Sequence, residues 1–139
     1  IINFSGGGDT ALPRFSAYHA SKGAVVRLTE TLAAEVKEYG IDINAIAPGA
    51  VNTNFLEEAL RAGKVAVGEA QYAKLVQQKE EGGVSPEKAA ALCVFLASSV
   101  SDGLSGKFVS AVWDKWQEWG PADIVEIMKT DKYTSRRKV

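Results

Sequence analysis

The chain has 139 residues, 46% of them hydrophobic and 24% charged, with a formal net charge of −1. This length supports one domain with its own core, and the near-neutral balance gives no general attraction to nucleic acid. A single cysteine, Cys93, excludes a disulfide framework and fits a reducing, cytoplasmic setting. The single histidine, His19, has no company for a metal site, and no apolar run reaches the ~20 residues of a membrane span.

Taken in chain order, Ile1 to Phe4 is a short apolar run that breaks at Ser5-Gly6-Gly7-Gly8. It reads as the end of a buried strand running into a loop that includes Pro13. A chain that opens on such a run looks like part of a longer domain. From Ser16 to Tyr39 the pattern is helical. Ala17, Ala20, Ala24, Val25, Leu28, Leu32 and Val36 recur at threes and fours, a face suited to close packing, and Gly40 suits the position after the last turn. Residues 41–47 alternate and then turn apolar, which predicts a strand stopped by Pro48-Gly49.

Residues 52–83 are mixed, with one short helix expected from Phe55 to Ala62 and a longer one from Glu69 to Glu81. A clear helix follows Ser85, which can accept free amide hydrogens as N-cap, with Pro86 at the first helical position and Glu87 at the positive end. Ala90, Leu92, Cys93, Phe95 and Leu96 form its expected core face, with Cys93 a small hydrophobe rather than a nucleophile. A last strand is expected from Lys107 to Val112 and a last helix from Ala122 to Lys129. The order strand–helix–strand–helices–strand predicts an α/β fold of about three parallel strands. Trp113, Trp116 and Trp119 recur by threes, and packing on the domain, a subunit contact and a substrate contact are all open to them. Arg136, Arg137 and Lys138 read as a solvated tail.

Tyr18 and Lys22 stand four apart where the first helix begins, so they share a face. An ammonium beside a phenol favours the phenolate and lowers the tyrosine pKa from ~10. A phenol so tuned can give a proton to a carbonyl or take one from an alcohol. Ser5 lies thirteen residues earlier at a strand's carboxyl end, where α/β sheets bind ligands, and its hydroxyl can meet the same substrate oxygen. Each residue also has a plainer reading, as a surface pair and a loop cap.

Together the stretches "INFSGGG", "YHASK", "INAIAPGAVNT", "SPEKAAALCVFLAS" and "LSGKFVSA" resemble the short-chain dehydrogenase/reductase family, in family order and spacing. The resemblance covers Ile1 to about Trp113, so residues 1–112 read as family-like core and 113–139 as a C-terminal extension of one domain. It implies the C-terminal half of a doubly wound, Rossmann-like parallel sheet and an NAD(P)-dependent oxidoreductase of the carbonyl reductase or alcohol dehydrogenase type. By resemblance Tyr18 is the general acid/base, Lys22 tunes it and binds the nicotinamide ribose, and Ser5 orients the substrate carbonyl. Pro48, Gly49, Val51 and Thr53 lie along the nicotinamide, and residues 54–83 cover a small-molecule carbonyl or alcohol substrate. Gly6 takes the second of two serine slots common in the family, whereas counting back from Tyr18 selects Ser5.

The glycine-rich turn that cradles the dinucleotide pyrophosphate has no counterpart in these residues, and neither does the residue that selects NAD or NADP. The expectation is therefore a catalytic half that is inactive alone. Its Ser16–Tyr39 helix corresponds to the family's main dimer interface, so a homo-oligomer is expected. A non-catalytic α/β oligomerisation module derived from the same family is the alternative.

Overall fold

The computed structural model describes residues 1–6 and 11–135. Among these residues three parallel strands, β1 (Ile2–Phe4), β2 (Asn44–Ala47) and β3 (Phe108–Ser110), form one sheet in the order β1-β2-β3. Register pairs Asn3 with Ala45 and Ala45 with Phe108. Among the described residues, five α-helices join or follow the strands: α1 (Ser16–Glu35), α2 (Asn54–Val67), α3 (Glu69–Glu81), α4 (Pro86–Leu96) and α5 (Pro121–Met128). The expected α/β order and parallel pairing are what the chain adopts.

Alternation of side chains across the pleat divides the sheet between helices. Ile46 and Val109 are fully buried in a cluster with Leu92 and Ala89 of α4 and with Trp116. On the opposite face the Asn3 side-chain amide donates to Thr29 Oγ1 of α1 at 2.9 Å. A second cluster, Leu104 with Ile124 and Ile127, seats α5. A third, Leu56, Ala59, Val67 and Leu75, lies inside the α2–α3 pair itself, with Phe15, Leu60 and Tyr72 packed against it.

Local signals set many element ends. α3 runs from Glu69 to Glu81 as expected. α4 starts as expected, with Ser85 Oγ accepting from the Glu87 amide at 3.3 Å and Pro86 in the first turn. α1 is shorter than its pattern: it stops at Glu35, and a 3₁₀ turn over Lys37–Tyr39 ends at Gly40 in a left-handed conformation. The paired strands are shorter than expected, 44–47 and 108–110, although Lys107 and Ala111 still hydrogen-bond to β2. The expected short helix starts at Asn54 and ends as read, at a break at Gly63 whose φ is +81°; a further helical stretch beyond the break completes α2 to Val67.

The apolar stripe expected on α1 is buried only in part: Val25, Leu32 and Val36 are half-buried. Val26, Thr29 and Ala33 face the sheet, whereas Ala17, Ala20, Ala24 and Leu28 are exposed. Periodicity finds an apolar face but not what covers it. In α4 Ala89 is buried and Ala90 exposed, while Cys93, Phe95 and Leu96 are half-buried against the core. The three tryptophans divide: Trp116 is buried, Trp119 half-buried and Trp113 85% exposed. The basic cluster Arg136-Arg137-Lys138 lies outside the described residues, as do Gly7 and Gly8.

Candidate active site

The sheet brings the carboxyl ends of β1 and β2 together with the first turns of α1. Ser5 directly follows β1, and its amide bonds the Ile46 carbonyl at 2.9 Å. Its side chain is buried, and the hydroxyl donates to the Lys22 carbonyl oxygen at 2.9 Å. The Lys22 ammonium returns to the Phe4 carbonyl at 3.2 Å. It also stands 5.9 Å from the centre of the Tyr18 ring, within cation–π reach. The structure thus brings Ser5, Tyr18 and Lys22 to one end of the sheet, with the Ser5 hydroxyl spent on the backbone of α1.

One expectation fails here. Tyr18 does not have a lowered pKa: burial of the phenol pushes it above the ordinary value of 10.0. The cause is visible in its neighbours. Phe55 of α2 stacks on the Tyr18 ring, centres 4.5 Å apart and planes 24° apart, and Phe15 stands 5.9 Å from Phe55. Aromatic carbon replaces water over the ring, which disfavours the phenolate. The phenol is protonated at neutral pH, and the upward shift makes it a weaker acid than a free tyrosine.

The loop after β2 carries the other candidates. Gly6 and Pro48 are neighbours, since a Cβ on Gly6 would lie 3.2 Å from Pro48 Cδ. Gly49 has φ +91°, and a Cβ there would come within 2.7 Å of Val112 Cγ2, so only glycine fits this approach. The Val51 amide bonds the Gly49 carbonyl at 3.0 Å, and Thr53 is the N-cap of α2, its carbonyl accepting from Leu56. Gln78 of α3 fixes the loop by donating to the Ala50 carbonyl and to Asn52 Oδ1, each at 3.1 Å. Gln78 and the stacking of Phe55 carried no distinguishing signal in the sequence: both lie in the segment 54–83, read only as a cover over the substrate.

The expected apolar cover is a unit with its own core. Leu56 and Val67 point inward, Val65 is 88% exposed, and Arg14 of the preceding loop donates to the Val65 carbonyl. A cavity of about 750 Å³ opens at the other end of the sheet, lined by Lys37, Asp42, Asp102 and Met128 among others. Ligands of open α/β sheets bind at strand carboxyl ends, the end that carries Ser5, Tyr18 and Lys22. Among the described residues, no group of histidine, cysteine or carboxylate side chains could hold a metal, and no helix is long and apolar enough to cross a membrane.

Comparison with known proteins shows which family this fold belongs to. A family model described as enoyl-(acyl carrier protein) reductase matches residues 1–111. Dehydrogenase/reductase SDR family member 6 of Rattus norvegicus is 40% identical over 89 residues, covering 64% of this chain and 36% of the relative. The 3beta-hydroxysteroid dehydrogenase 1 of Eggerthella lenta is 42% identical over 96 residues, covering 68% of this chain and 34% of the relative. A crystal structure of an angucycline C-6 ketoreductase with bound NADP superposes with a TM-score of 0.59 at 26% identity, over 80% of this chain and 41% of that one. The chain spans about a third of the length of the two curated relatives. With parallel strands, a Tyr-x-x-x-Lys pair on the crossover helix and a Pro-Gly loop after the next strand, the chain belongs to the short-chain dehydrogenase/reductase family.

Proposed function

We propose that the whole protein is an NAD(P)-dependent oxidoreductase acting on a small-molecule carbonyl or alcohol, and that this chain carries its proton-transfer residues. The observation that carries the reading is the gathering of Ser5, Tyr18 and Lys22 where the carboxyl ends of β1 and β2 meet α1. The residues fit the nicotinamide end of a dinucleotide: an ammonium and a phenol lie on one helix face, beside a loop whose Gly49 leaves no room for a side chain. Lys22, Pro48, Gly49, Val51 and Thr53 would hold it, with Tyr18 beside it. The nicotinamide, when bound, supplies or accepts the hydride.

The remaining steps belong to the chain. Tyr18, protonated at neutral pH, donates its phenolic proton to the carbonyl oxygen of the substrate in the reduction direction. Lys22 sits close enough to favour the phenolate that results. Ser5 stands at the same strand end to steer the substrate oxygen once its hydroxyl turns from the Lys22 carbonyl. Phe55 of α2 covers one face of the ring.

A second reading, a non-catalytic oligomerisation module, is favoured by one observation: the exposed face of Ala17, Ala20, Ala24 and Leu28 on α1, which suits pairing with a second copy. The test is carbonyl reduction by the intact protein with NADH and NADPH over a panel of ketones. Tyr18→Phe is expected to lose roughly 10²–10⁴-fold in turnover with cofactor binding by calorimetry retained, and Lys22→Ala to weaken cofactor binding. Unchanged turnover in Tyr18→Phe would sink the oxidoreductase assignment of this site.

A further inference from the structure

The outer edge of β3 is closed by the chain's own C-terminal residues. β3 is an edge strand. The Lys107 carbonyl accepts from Ala45 at 2.8 Å, and the Ala111 amide donates to Ala47 at 2.9 Å, so alternate residues 107, 109 and 111 face β2. The amides of Phe108 and Ser110 therefore point away from the sheet. Exposed donors in a row are a template for pairing with another chain. Here both are already used: the Phe108 amide donates to the Tyr133 carbonyl at 2.7 Å, and the Ser110 amide donates to Asp114 Oδ2 at 2.6 Å.

The segment that supplies the first acceptor is tied down at several independent points. Lys107 is almost fully buried, and its ammonium donates to the carbonyls of Ile127 at 3.2 Å, Thr130 at 2.8 Å and Lys132 at 3.1 Å. These carbonyls lie at and just beyond the C-terminus of α5, where helix carbonyls lack partners of their own, and a cation there is favoured by the helix dipole. Tyr133 takes a left-handed backbone conformation, φ +59°, and its ring packs 4.9 Å from that of Trp119. Beyond it, the Ser135 amide donates to Glu30 Oε1 at 2.9 Å and Arg27 Nη2 donates to the Ser135 carbonyl at 3.0 Å. A segment held only by side-chain packing would not need a buried ammonium on three of its carbonyls.

We propose that residues 127–135, held by Lys107 and joined by Asp114, are an intramolecular edge cover that keeps a second copy of this chain from pairing its own β3 with this one. The cover acts on the backbone, so it discriminates against sheet extension and leaves helix-mediated association untouched.

The test compares the intact protein with a version ending at Asp131 that also carries Asp114→Ala. The readouts are amide hydrogen exchange at Phe108 and Ser110, and sedimentation velocity over a concentration series. In the intact protein both amides are expected to exchange slowly. In the doubly altered protein they open by roughly tenfold or more at low concentration, and a new self-association appears as concentration rises. Fast exchange at Phe108 in the intact protein overturns the proposal. So does an opened edge with an unchanged distribution of masses. If the shortened protein does not fold, Asp114→Ala and Asp114→Asn in the full-length chain decide. Alanine should open the Ser110 amide, while asparagine, which keeps an acceptor oxygen, should not; identical exchange in the two variants overturns the proposal.

Discussion

Ser5 and Lys22 are joined through backbone as well as side chain: the Ser5 hydroxyl donates to the Lys22 carbonyl oxygen at 2.9 Å, while the Lys22 ammonium reaches back to Phe4, the residue before Ser5. The two residues marked for chemistry therefore also fasten the end of β1 to α1. Ser5→Ala is expected to lower unfolding free energy by about 1 kcal/mol through loss of a buried hydrogen bond, on top of any loss of turnover. Urea unfolding of the variant, followed by far-ultraviolet circular dichroism, measures this.

The stack of Phe55 on Tyr18 makes a pH prediction. Burial raises the Tyr18 pKa above 10.0 in the folded state, so the unfolded chain ionises first. Stability attached to this group is complete below about pH 10 and falls as pH rises through the folded value. Tyr18→Phe should flatten the alkaline limb of stability against pH. Phe55→Ala should lower the Tyr18 pKa, shifting the phenolate absorbance rise near 295 nm to lower pH. An unmoved titration in Phe55→Ala would contradict the stack as its cause.

Asp114 carries the opposite practical lesson. Burial raises its carboxyl above 3.8, partly offset by the hydrogen bond from the Ser110 amide. Its ionised form is therefore the less favoured one: stability is greatest while it is protonated and declines as pH rises through the folded value. Asp114→Asn should raise the melting temperature slightly at pH 7, by less than about 1 kcal/mol equivalent given the group's partial exposure, and should remove that group's share of the acid-side slope. Thermal unfolding of both proteins between pH 3 and 7 checks both signs.

Gly49 is a steric prediction. Its φ of +91° and the 2.7 Å approach to Val112 penalise any side chain. Gly49→Ala should cost about 1–3 kcal/mol in backbone strain alone, and in the intact enzyme should weaken cofactor binding because the loop must move. Calorimetric titration with NADH or NADPH, paired with thermal unfolding, separates the two effects.

Leu92 is wholly buried between α4 and the sheet with Ile46 and Val109. Leu92→Ala should cost about 2–5 kcal/mol, whereas Val94→Ala, at a 71% exposed position on the same helix, should change stability by about 0.5 kcal/mol or less. Denaturant midpoints for the pair test the assignment of the buried face.

Local chemistry determined a good deal of this protein from sequence. The Ser85-Pro86 start of α4, the limits of α3, the strand–helix–strand order and the shared face of Tyr18 and Lys22 all follow from caps, periodicity and spacing within a few residues. The tertiary structure decided what depends on distant neighbours. Which stripe of α1 is buried was set by the sheet beneath Thr29 and Ala33, not by the apolar pattern alone. The direction of the Tyr18 pKa was set by burial, to which Phe55, thirty-seven positions along the chain, contributes by stacking on the ring. The burial of Lys107, which reads as an ordinary strand-start lysine, was decided by three carbonyls at the far end of the chain. Propensity and periodicity report on the chain's own turn or pleat, whereas desolvation and carbonyl pairing exist only once remote segments are packed together.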